Sequence, residues 1–183
     1  MDWSTIDNAA MDQQWLKFGE HVGCLSFRMY DCVALICNNY GYKNARDVEA
    51  IADGLSTIKH VLDESLLTYY IYVRRHNIIA DEYMPNTKIR MIEVVYGDKP
   101  YVSQYKCVKR KRSELSRQLS PQEVTFVDAC LSDTIGVIAE IDLNIDFFFP
   151  ARIQHIRDLY NKRKQTIMEC LRKVHAEYVM NAS

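Results

Sequence analysis

The chain has 183 residues, 48% of them hydrophobic and 26% charged, with a net charge of −1. That length suits one domain with a core large enough to need no staples, and the near-neutral balance gives no global pull toward nucleic acid or anionic lipid. Only 6 Gly and 4 Pro are present, too few turn-makers for a sandwich or barrel, so long helices are favoured.

The start, Met1-Asp2-Trp3-Ser4, lacks the basic residues and apolar run of a signal peptide. No run of about 18 apolar residues appears, so no spanning helix is predicted. The expected location is intracellular, in the cytoplasm.

From Trp15 the apolar residues step by three and four through Phe18, Val22, Leu25, Met29, Cys32 and Ile36. That spacing places them on one helix face and predicts a helix from about Ser4 or Met11 to Asn39. Gly41 is suited to a left-handed C-cap.

A second stripe runs Val48, Ile51, Leu55, Ile58, Leu62, Ser65, Tyr69, Tyr72, His76, Ile79, Tyr83. Asn44 is its N-cap candidate, Pro85 stops it after Tyr83, and Gly54 is the expected place for a bend. Leu66, Leu67, Tyr70, Ile71, Val73 and Ile78 widen the stripe. A helix apolar over so much of its surface is either central or meets another chain. These six residues are the expected interface of a homo-oligomer.

Residues 84–118 form an insert. Ile89–Tyr96 and Tyr101–Val108 are rich in β-branched and aromatic residues, with Gly97-Asp98-Lys99-Pro100 between them, which predicts a small β-hairpin. The third helix starts at Ser120-Pro121-Gln122-Glu123, a capping box with proline at the first helical position. Its stripe is Val124, Val127, Leu131, Thr134, Ile138, Ile141 and Ile145, closed by a buried Phe147-Phe148-Phe149-Pro150 run. The fourth helix, about Ala151 to Val179, turns Ile153, Ile156, Tyr160, Ile167, Leu171, Val174 and Tyr178 inward.

The small net charge hides an alternation. Residues 1–83 carry 7 basic and 12 acidic side chains, 84–118 carry 9 and 3, 119–150 carry 0 and 6, and 151–183 carry 7 and 3. Neighbouring helices of opposite sign complement each other across a bundle surface. The insert and the fourth helix would also make a basic face for phosphate or an acidic partner.

Within the insert, Lys106, Lys109, Arg110, Lys111, Arg112 and Arg117 follow Tyr101 and Tyr105. Cations with aromatic rings suit single-stranded nucleic acid. The same run as a solvated loop would protect a hairpin edge from pairing, and its composition also fits a nuclear-localisation signal.

Arg75 and His76 are the catalytic candidates, because an imidazole on a buried stripe near Arg and Asp81-Glu82 can exchange protons at neutral pH. The bland alternative is a hydrogen-bonded core histidine. His60 and Glu64 have i,i+4 spacing, with Asp53 two turns earlier, and read as an exposed pair. The 6 Cys (Cys24, Cys32, Cys37, Cys107, Cys130, Cys170) form no CxxC pair and read as buried thiols. No phosphate-cradling glycine motif occurs, the acidic residues of the third helix do not converge, and neither a metal nor a cofactor is expected.

These readings predict a mainly α protein, a single domain over residues 1–183: a four-long-helix bundle with a small β-hairpin insert between helices two and three. The expected function is a non-enzymatic interaction or regulatory module working through protein–protein association. The alternative is an RNA- or DNA-binding bundle, of nuclease or toxin-like type, using residues 106–117.

Overall fold

The computed structural model describes residues 8–39, 45–75 and 119–182, with side chains described for 13–36, 45–69 and 119–175. These form α1 (Asn8–Asn39), α2 (Ala45–Arg75), α3 (Pro121–Leu143), the single-turn α4 (Ile145–Phe148), a 3-10 turn (Ala151–Ile153) and α5 (Gln154–Ala182). No strand occurs among the described residues. The hairpin expected within 89–108, the cap at Gly41 and the continuation of the second helix from His76 to Tyr83 lie outside them.

The periodicity of α1 translates directly into burial. Trp15, Phe18, Val22, Leu25, Met29, Cys32 and Ile36 are all buried. Helix α2 runs antiparallel beside α1, a direction fixed by two long-range bonds. Trp15 Nε1 donates to the Leu62 carbonyl at 3.2 Å, and Ser26 Oγ donates to the Ala52 carbonyl at 2.9 Å. Each bond satisfies a polar atom that burial would otherwise leave without water.

Helix α2 packs against α1 on one side and α5 on the other. Val48, Ile51, Leu55, Ile58, Leu62 and Tyr69 are buried, and Ser65, which interrupts the stripe, donates its hydroxyl to the Phe148 carbonyl. Gly54, read as a bend site, lies within an unbroken helix and has a direct packing use. A Cβ there would meet Ile167 Cγ1 of α5 at 2.6 Å, so glycine is what lets the two helices approach.

The start of α3 matches its sequence signature. Ser120 Oγ accepts from the Glu123 backbone N–H at 3.2 Å, and Glu123 Oε1 accepts from the Ser120 N–H at 2.9 Å. Pro121 occupies the first turn, where its missing N–H is harmless. The buried face differs from the expected stripe. Val127, Cys130, Thr134, Val137, Ile138 and Ile141 are buried, whereas Val124 and Leu131 are half-buried. Helix α3 packs on α1, and this rotates Cys130 and Val137 into the core.

Asn144 stops α3, and its backbone N–H bonds to the carbonyls of Glu140 and Ile141. Phe147–Phe149 then crosses one end of the bundle. Phe148 lies edge-on to Trp15 at 5.5 Å and stacks on Phe18 at 5.1 Å, while Phe149 stacks on Tyr160 at 5.0 Å. These ring pairs join α1, the α3–α5 corner and α5. From α5, Ile153, Ile156, Tyr160, Ile167, Leu171 and Val174 are buried, and all four long helices share one core.

Candidate functional site

The described residues contain three places where chemistry-bearing side chains converge: the α1–α2 seam, the α1–α3 seam and the α3–α5 seam.

On the α1–α2 seam, Gly19 and Gly23 are one turn apart and open a notch in α1. A Cβ at Gly19 would stand 3.4 Å from Lys59 Nζ, and one at Gly23 3.4 Å from Lys59 Cε. The lysine stem therefore lies in the notch, and its ammonium reaches both carboxylate oxygens of Asp63 at 2.8 and 3.0 Å. Both residues are buried. Burial pushes the Asp63 carboxyl above its ordinary range, and the opposing pull of Lys59 does not cancel it. A closed, internally paired couple of this kind fixes how two helices meet.

On the α1–α3 seam, Arg28 Nη1 pairs with Asp133 Oδ2 at 3.2 Å. One turn further along the same two helices, Cys32 and Cys130 are both buried.

On the α3–α5 seam, the ties are polar and sit at the α3 C-terminal end. Asp142 accepts from the Tyr160 hydroxyl at 2.7 Å and pairs with Lys164 Nζ at 3.2 Å, and Asp146 pairs with Arg157 at 3.2 Å. Burial, then the bond to Asp142, raises the Tyr160 phenol above its ordinary value. The register is antiparallel. Ile135 lies two turns before Asp142 on the same α3 face, and Met168 lies one turn after Lys164 on α5. Ile135 and Met168 are 53% and 38% exposed. Leu131, a turn before Ile135, is half-buried.

The residues singled out from sequence fare differently. Leu66 is buried in the core and Leu67 packs partly buried against it. Their apolar area serves the chain's own neighbours, because α2 lies between α1 and α5. Arg75 ends α2, and Tyr70, Ile71 and Val73 belong to the same helix, but their side chains lie outside the described set. His76, Ile78, Tyr105, Lys106, Lys109, Arg110, Lys111, Arg112 and Arg117 lie outside the described residues altogether. His60 pairs with Glu64 at 3.0 Å on the surface, as its spacing indicates. The thiols of Cys32, Cys130 and Cys170 are buried as expected, whereas Cys24 is exposed.

Sequence reasoning missed Ile135 and Met168. The available signal was an apolar residue off the stripe of its own helix, and a single helix cannot show which neighbour shares that face.

Among the described residues no group of three metal-ligating side chains converges, and no helix is long and apolar enough to cross a membrane. No protein-family model matches the chain, and neither the curated proteins nor the solved structures with which it was compared include a match.

Proposed function

We propose that this chain is a non-enzymatic interaction module that works by helix-on-helix association, in its simplest form with a second copy of itself. The observation that carries the reading is the exposure of two large apolar side chains, Ile135 on α3 and Met168 on α5. Burying them under a partner helix gains the transfer free energy that solvent now withholds. The buried charges of the α1–α2 seam are already closed on each other, so the core is complete without the partner. A symmetric contact would pair the same patch on both copies.

Sedimentation velocity over a micromolar concentration series tests this. The wild-type chain is expected to gain mass with concentration, and an Ile135→Asp/Met168→Asp variant to remain a monomer with an unchanged helical spectrum. A wild-type chain that stays monomeric across the series overturns the reading.

A second reading, binding of RNA or DNA through residues 106–117, is favoured by the exposure of Lys162, Arg172 and Lys173 on α5, the helix that shares the positive sign of the insert. Filter binding across a salt series checks it. Replacing Lys109, Arg110, Lys111 and Arg112 by Ala should weaken binding and flatten the salt slope; unchanged binding contradicts it.

A further inference from the structure

Cys32 on α1 and Cys130 on α3 are two fully buried thiols on sequence-distant helices that pack against each other. Their register is set independently by Arg28 and Asp133, which pair one turn away on the same two helices. The Arg28 side chain is 25% exposed and that of Asp133 41%, so this pair meets solvent while the thiols beside it on the seam do not. The charged groups around them are Arg28, Asp31 and Asp133.

We propose that Cys32 and Cys130 form a reversible disulfide that staples α3 to α1 under oxidising conditions, with a hydroperoxide as oxidant. Local opening of α3 admits the oxidant, and the Arg28 guanidinium favours a thiolate at Cys130. That thiolate attacks the terminal peroxide oxygen, the O–O bond breaks, and the departing alkoxide takes up a proton. The product is a Cys130 sulfenic acid and an alcohol (water, if the oxidant is hydrogen peroxide). The Cys32 sulfur then attacks the sulfenic sulfur, its proton leaves with the hydroxide as water, and the S–S bond forms. Two thiols have lost two electrons, and the peroxide has gained them. The two sulfurs are then joined by a covalent bond of about 2.05 Å. A thiol reductant reverses the reaction by exchange.

The consequence is large because of where the bond falls. Cys32 and Cys130 enclose α2 and the whole connection to α3, and a cross-link closing a long loop constrains the unfolded chain most.

The test uses the full chain. Hydrogen peroxide treatment, trapping of free thiols and peptide mass spectrometry should show a loss of two hydrogens and a linked peptide pair carrying Cys32 and Cys130. Exposed Cys24 should remain trapped or be oxidised singly. The melting temperature should rise by roughly 10 °C on oxidation and return on reduction. In Cys32→Ala and Cys130→Ala, each shown folded by its helical spectrum, both the linked pair and the rise should vanish. Recovery of Cys32 and Cys130 as free thiols after oxidation, or linked to other cysteines, overturns the proposal; so does a rise that persists in the variants.

Discussion

Between α1 and α2, two glycines let a lysine stem lie against the opposite helix and a carboxylate closes over its ammonium. Between α3 and α5, Asp142 ties Tyr160 and Lys164 at one end, while Ile135 on α3 and Met168 on α5 face solvent. Both seams join antiparallel helices of one core. The first buries its ion pair, and the second keeps its ion pairs partly exposed. A seam whose charges are desolvated and paired can only lose by being opened. A seam held at one end by exposed polar ties retains a face for another helix.

The sharpest break of the comparison is at Lys59. Replacing it alone by Met should cost about 3–5 kcal/mol, because Asp63 is left buried without its partner, whereas the double variant Lys59→Met/Asp63→Leu should cost under about 1.5 kcal/mol by filling the notch with apolar groups. Urea unfolding midpoints of the single and double variants measure the difference; equal losses would mean that leaving Asp63 without its partner carries no cost of its own. On the other seam, Tyr160→Phe removes one hydrogen bond to Asp142 and should cost only about 1 kcal/mol, read the same way.

Smaller still is a pH effect. The Asp63 carboxyl is raised in the folded chain, so the folded state holds that proton more tightly than the unfolded one. Its contribution to stability is full below the ordinary carboxylate range and declines as pH rises through the raised value. The stability of the wild type relative to Asp63→Asn should therefore fall as pH rises from about 4. Thermal melts of both proteins from acid to neutral pH follow the difference; a difference that grows with pH contradicts the assignment.

Much of this fold was legible before any coordinates, for reasons that differ by element. The α1 stripe was readable from Trp15 to Ile36 because the helical repeat alone decides which residues share a face. The start of α3 was readable because Ser120 and Glu123 cap each other locally, without help from the rest of the chain. The seams were not readable. Leu66 and Leu67 looked like surplus apolar surface because the width of a stripe reports how many neighbours a helix has, not whether they belong to the same chain. Gly19 and Gly23 carry no signal until Lys59 lies against them. The juxtaposition of Cys32 with Cys130 depends on which helices adjoin and in what register.

Ile135 and Met168 make the central claim measurable at one atom. Methyl carbon NMR of selectively labelled methionines, recorded over a dilution series, sets Met168 on α5 against Met29, which is fully buried in α1. The Met168 methyl signal should shift with concentration while that of Met29 holds still, and Ile135→Asp should abolish the shift. A Met168 signal that is constant at all concentrations, or one that moves equally in the Ile135→Asp variant, would contradict association through these side chains.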